Sequence, residues 1–245
     1  MLKLSNLKKS FGGVKAVNNC TFHVDKGKIT ALIGPNGSGK TTLFNLVFGV
    51  LKADSGKIIF DKNELTNLSI QKISNLGISR IFQQSRLFDN LTIKENMLLA
   101  FDNEDTKLFK SIFGLNKTTK EKEDKIEETL KLVNMDEHKN KLAKNISYGQ
   151  KRLIEIARSI IKPHKMLMLD EPVTGVTPSL RKTLTKLLSK LRDEGETIFI
   201  IEHNMNFVLN IADEVIVLDE GKVIASGKPD IIKKNKLVLE AYLGD

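Results

Sequence analysis

The sequence predicts an α/β core interrupted by a helical insertion at about residues 90–163. Three observations predict it. "KITALI", "KMLML" and "TIFII" are short, continuously apolar runs of the kind that form strands buried on both faces. From Thr92 to residue 162 the chain instead reads as mostly helical, with a polar insert, opening on the T-x-x-E capping box of "TIKE". And "ALIGPNGSGKTTL" places a glycine-rich turn between an apolar strand and a helix whose apolar positions are Leu43, Leu46 and Val47.

The elements follow in order. "LKLSNL", "CTFHV", "KITALI" and "GKIIF" read as strands separated by turns, and "GISRIF" at 77–82 as another. Within the insertion, "NKTTKEKEDKIEETLKLVN" alternates Lys and Glu, with a narrow stripe at Ile126, Leu130 and Val133, as a solvated helix would. "NISYGQKRLIEIARSIIKP" is a further helix. Ser147 and Gln150 are spaced for a reciprocal capping box, Leu153, Ile156, Ala157, Ile160 and Ile161 form one stripe, and Pro163 stops it. Thr177 can cap a helix with Pro178 at its first position and Leu180, Leu184, Leu187, Leu188 and Leu191 on one face. "EVIVLD" and "KVIAS" make a hairpin around Glu220-Gly221, and the last ~17 residues read as helical.

Composition narrows the class. At 245 residues, with 40% hydrophobic content, the chain can bury a large core. No apolar run approaches the ~18 residues of a membrane span, and the N-terminus lacks a signal-peptide core, so a cytosolic protein is expected. Cys20 has no partner for a disulfide and reads as a small buried hydrophobe. The net charge of +9 suggests acidic partners, whether phosphates, an anionic membrane surface or nucleic acid. No aromatic residues interleave with the lysines of the insert, as a nucleic-acid stacking platform needs.

Four strand ends carry the chemistry. Gly34, Gly39, Lys40 and Thr41 have the G-x-x-x-x-G-K-[ST] spacing, so the loop Gly34, Pro35, Asn36, Gly37, Ser38, Gly39, Lys40, Thr41, Thr42 is the candidate phosphate cradle. Glycines let backbone N–H groups turn inward around phosphate oxygens. Lys40 can reach the outer phosphates, and the Thr41 hydroxyl can ligate Mg²⁺. Asp170 and Glu171 end "KMLMLDE", where open sheets bind ligands, so Asp170 is placed to hold Mg²⁺ and Glu171 to polarise an attacking water. "TIFIIEHN" puts His203 at another strand end, able to donate to a γ-phosphate or orient water. "RIFQQ" ends with Gln83, whose neutral amide can touch both Mg²⁺ and water.

In this order, the phosphate loop at 34–41, Gln83, S-Y-G-Q at 147–150, D-E at 170–171 and His203 resemble an ATP-binding cassette (ABC) ATPase over the whole chain. The resemblance implies a P-loop NTPase of RecA-like core, with an N-terminal antiparallel β subdomain and an inserted α-helical subdomain. These would divide a single ATPase domain into 1–89 and 164–245 for the α/β core and about 90–163 for the helices. It implies Gln83 in the Q-loop, Ser147, Gly149 and Gln150 in the signature motif, Asp170 as the Walker B aspartate, Glu171 as catalytic base, His203 as switch histidine and Phe11 as the adenine-stacking aromatic. Two departures stand out. Tyr148 replaces a glycine of the usual L-S-G-G-Q, and Thr177 replaces the aspartate of the usual S-A-L-D.

The implied cofactors are ATP and Mg²⁺. The implied partners are a second ABC ATPase subunit, identical or related, transmembrane permease subunits and, indirectly, a solute-binding protein. No nucleic acid is expected. The implied place is peripheral, on the cytoplasmic face of the cell membrane. Within the family, "SRIFQQSRLF", "SYGQKRLIEIAR", "DEPVTGVTP", "IIEHNM" and "EAYLGD" are similar to branched-chain amino acid importer ATPases. Urea/amide importers and lipopolysaccharide-export ATPases share several of these strings and remain alternatives. A DNA-repair ABC ATPase is disfavoured by the short, cysteine-free stretch between phosphate loop and signature. Coupling to the membrane partners is expected around residues 84–110, including Arg86, Leu87 and Phe88.

Overall fold

The computed structural model describes residues 1–81, 87–101, 120–161 and 163–243. Two compact units emerge: Met1–Arg80 with Lys165–Glu171 and Leu188–Asp245, and Ile81–His164 with Pro172–Leu187.

The first unit holds two sheets. Strands β1 (Leu2–Phe11), β2 (Val14–Val24), β4 (Ser55–Phe60) and β5 (Asn63–Glu64) form an antiparallel sheet in the order β2-β1-β4-β5. Strands β3 (Ile29–Ile33), β6 (Ile78–Ile81), β7 (Met166–Asp170), β8 (Thr197–Ile201), β9 (Glu214–Asp219) and β10 (Lys222–Gly227) form the other, in the order β10-β9-β3-β8-β7-β6. Within it β9, β3, β8 and β7 run parallel. Every residue of β3, β7 and β8 is buried, which explains why these strands are continuously apolar rather than alternating. Helix α1 (Lys40–Val47) seats Phe44 against Phe199 of β8, with ring centroids 4.7 Å apart. Cys20 is buried, its thiol donates to the Gly221 carbonyl at 2.9 Å, and desolvation pushes its pKa up to about 11, as suits an inert core position.

The parallel register does the work that positions function. Asp170 lies opposite Ile201, and Leu32 is also opposite Ile201. The ends of β3, β8 and β7 are therefore neighbours, and they deliver the glycine-rich loop, His203 and Asp170 to one edge of one sheet.

The second unit contains α3 (Ile93–Phe101), α4 (Lys120–Leu132), α5 (Tyr148–Ile160) and the first part of α6 (Pro178–Asp193). Sequence signals for their starts hold. Glu95 N–H donates to Thr92 Oγ1 at 3.1 Å while Thr92 N–H donates to Glu95 Oε2 at 2.7 Å. Pro178 begins α6, behind Thr177, whose hydroxyl accepts weakly from Leu180 N–H at 3.5 Å. On α4, Ile126 and Leu130 are buried under a charged outer face.

The C-terminal segment is helical, as expected, in two short pieces, α8 (Pro229–Ile232) and α9 (Lys236–Leu243), divided where Asn235 turns its side chain onto the N–H of Leu237. Two other elements go beyond the sequence reading. Between the antiparallel sheet and β6 lies a six-residue helix, α2 (Ile70–Asn75), that has too little periodicity to be read. Burial on α5 extends well beyond one stripe, taking in Ile154, Arg152 and Glu155. The last two tolerate it because the Arg152 Nη1 lies 3.2 Å from Glu155 Oε2. The remaining helix, α7 (Met205–Ile211), is capped by Asn204, whose Oδ1 accepts from Phe207 N–H at 3.0 Å.

Candidate phosphate-binding site

Between β3 and α1 the chain makes a loop that only glycine can trace at two points. Gly34 has φ 151° and Gly39 φ 102°. A Cβ at Gly34 would collide with the Leu218 carbonyl, and one at Gly39 with the Ala16 carbonyl. Gly39 then stands immediately before α1, which has no side-chain cap and no acidic residue in its first turn. The amide donors of that turn therefore have no acid of their own, and with the helix dipole they favour an anion.

Lys40 closes the loop from inside. Its Nζ donates to the carbonyls of Gly34 and Pro35, each at 2.8 Å, and the residue is only 8% exposed. An ammonium held by two carbonyls of the loop is a buried cation suited to meet an anion there. Thr41 is exposed on the first turn of α1.

At the end of β7 sits a buried carboxylate with a defined partner. Asp170 Oδ2 accepts from Arg80 Nη2 at 3.0 Å, with side-chain exposures of 7% and 2%. Arg80 was not among the residues singled out from sequence. Its signal, an arginine between the buried Ile78 and Ile81 of β6, is legible only once β6 is known to lie beside β7. Losing one member of such a buried pair costs about 3–5 kcal/mol.

Glu171 follows with φ 46°, a left-handed conformation that a non-glycine residue adopts at a cost of roughly 1–3 kcal/mol. Its N–H donates to the Ile201 carbonyl at 3.0 Å, which ties the strained residue to β8. His203 Nδ1 lies 3.9 Å from Glu171 Oε1, so the two polar side chains expected from separate strand ends meet. Glu202 explains why His203 is held there. Fully buried, its carboxylate accepts the N–H groups of His203 at 3.2 Å and of Asn204 at 3.3 Å and so pins the turn.

Other candidates stand as follows. Phe11, at the end of β1, is 45% exposed, and Lys9 Nζ lies 5.3 Å from its ring centroid. Gln83 falls outside the described residues, as does Arg86. In the helical unit Ser147 is exposed and caps α5: its Oγ accepts from Gln150 N–H at 3.3 Å, and its own N–H donates to Gln150 Oε1 at 2.9 Å. Tyr148 keeps the helix intact as its first residue, and Gly175, at φ 70°, packs beneath its ring. Gly149 is buried, and a Cβ there would meet Leu180 Cδ1 at 2.7 Å.

A glycine-traced loop before an uncapped helix, with a lysine inside it and a carboxylate on a parallel strand of the same sheet, defines a P-loop nucleotide-binding protein. Comparison with known proteins narrows this. Residues 17–174 match the ABC transporter family, and residues 222–245 match the family described as branched-chain amino acid ATP-binding cassette transporter. The chain is 39% identical to the probable branched-chain amino acid transport ATP-binding protein LivG of Archaeoglobus fulgidus, over 100% of this chain and 95% of that one. It is 38% identical to the high-affinity branched-chain amino acid transport ATP-binding protein LivG of Escherichia coli, covering 100% and 98%. Among solved structures it is similar to a nucleotide-free ATP-binding cassette from an ABC transporter, with a TM-score of 0.87, 33% identity and coverage of 100% and 99%. The chain belongs to the ABC transporter ATP-binding family and is an ATPase with the ABC cassette fold.

Proposed function

We propose that this chain is the ATP-hydrolysing subunit of a membrane importer for branched-chain amino acids. The observation that carries the cargo is the match of residues 222–245 to a family defined by that transport, on top of full-length likeness to curated importer ATPases. In this reading the protein binds peripherally to the cytoplasmic face of the membrane, beside permease subunits and a second cassette. Phe88, 53% exposed, belongs to the surface that meets the permease.

Each residue has a task in ATP hydrolysis. The loop amides and Lys40 cradle the phosphates, and Phe11 offers its face to adenine. Thr41 and Asp170 are hard oxygen donors of the type Mg²⁺ takes, and they would hold it together with Gln83. The ion would neutralise charge on the phosphate oxygens. Glu171 orients and deprotonates the attacking water, and His203, beside it, steadies the γ-phosphate. Ser147, with the start of α5, faces the γ-phosphate held by the other cassette, so hydrolysis requires the closed dimer.

Purifying the membrane complex through this subunit tests the reading. It expects two permease subunits, a second cassette and uptake of labelled leucine that depends on ATP. Companions that bind urea or amides, or a lipopolysaccharide-export assembly, would replace the cargo while leaving the ATPase chemistry in place.

A further inference from the structure

We propose that Arg80 is a positioning residue that sets the spacing of the magnesium site by clamping the two elements that carry its ligands. The inference rests on the reading above, in which Thr41 and Asp170 hold Mg²⁺. The guanidinium is a rigid planar fork with donors in fixed directions. One arm, Nη2, donates to Asp170 Oδ2 at 3.0 Å. The other, Nη1, donates to Asn45 Oδ1 at 2.8 Å. Asn45 lies four residues after Thr41 on α1, so the two share a helix face. A single side chain from β6 therefore spans the helix that bears Thr41 and the strand that bears Asp170.

The clamp is itself locked. The Arg80 side chain is 2% exposed, and its Cζ lies 5.7 Å from the Phe44 ring centroid and 5.8 Å from that of Phe48, both on the α1 side. Two aromatic faces and two polar acceptors leave the guanidinium one position. A buried counter-ion for Asp170 alone would need neither Asn45 nor a planar fork. The arrangement suits a device that fixes distance and direction. Lysine, a point charge on a flexible stem, preserves the charge and loses that geometry.

The test compares Arg80→Lys, Asn45→Ala and Asp170→Asn in the full chain, with a fluorescent ATP analogue titrated in EDTA and in increasing Mg²⁺. Thermal melting confirms that each variant is folded. The clamp expects the Mg²⁺ needed for half-maximal tightening of nucleotide binding to rise about 10-fold in Arg80→Lys, the scale typical of groups that orient metal ligands. Affinity in EDTA should stay within about twofold of wild type, since the phosphate loop is untouched. Asn45→Ala, which frees one arm and keeps the buried ion pair, should shift in the same direction by a smaller factor, and it carries the test if Arg80→Lys does not fold. Wild-type Mg²⁺ dependence in Asn45→Ala, or equal loss of affinity with and without Mg²⁺ in Arg80→Lys, overturns the clamp. Asp170→Asn separates the two levels. If it leaves Mg²⁺ dependence unchanged, the assignment of Asp170 to the metal fails. If it abolishes that dependence while the clamp variants behave as wild type, only the clamp fails.

Discussion

Helix α1 starts at Lys40 behind Gly39, with no side-chain cap, whereas α5 starts at Tyr148 behind Ser147 and closes a reciprocal capping box with Gln150. Both starts present the positive end of a helix dipole, and both contain a glycine within a residue or two of the first turn. The difference lies in who satisfies the first amides. At α5 the chain does so itself, through bonds of 3.3 and 2.9 Å between residues three apart. At α1 no side chain caps the first turn and no acidic residue lies in it, and the Lys40 ammonium donates to two carbonyls. An uncapped start beside a buried lysine can take an anion directly, whereas a self-capped one is complete as structure and would serve a ligand only as an added duty. The contrast supports the proposal that the phosphate loop binds nucleotide within one chain while Ser147 meets it across a dimer.

The comparison can be broken most directly at Lys40. Lys40→Ala removes the one cation inside the α1 loop, and we expect nucleotide affinity to fall on the order of 100-fold, the worth of a charge-assisted bond. Equilibrium binding of labelled ATP measures it, and near-normal affinity would mean that α1 is not the phosphate site. Glu171→Gln sharpens the comparison by stopping chemistry with both helix starts intact. Turnover should drop about 100-fold or more, as for loss of a general base, with ATP retained in the complex. Undiminished turnover would remove Glu171 from that role. The smallest effect belongs to Ser147→Ala, which deletes the cap. A loss of about 0.5–2 kcal/mol of stability is expected from a lowered melting temperature, with ATP affinity of the isolated chain unchanged.

How far the sequence could be read follows the range of the interactions. The strands β3, β7 and β8 were legible because each is buried along its whole length, so its local composition carries the information. The phosphate loop was legible because its glycines answer to close approaches by Leu218 and Ala16, and the spacing they impose is local. Ser147 and Gln150 cap each other across three residues, and the pattern shows it. Arg80 could not be found that way. Its partner Asp170 is 90 residues distant, and the pair exists only through the neighbouring of β6 and β7. The left-handed backbone of Glu171 and the pinning of His203 by Glu202 were hidden for the same reason, since each depends on what a strand end meets rather than on its own spacing. Asn235 adds a local detail, one side-chain bond that divides the helical C-terminal segment in two.

One measurement bears most directly on the division between the two helix starts: nucleotide affinity of the isolated chain and hydrolysis by the assembled complex, both for Ser147→Arg, with Ser147→Ala as the control for the lost cap. The account predicts ATP affinity within about twofold of wild type, because the phosphate loop lies elsewhere in the chain, and hydrolysis reduced about 100-fold, because an arginine at that start blocks closure over the partner's nucleotide. Hydrolysis at the wild-type rate in Ser147→Arg would contradict it and leave α5 as a capped helix and nothing more.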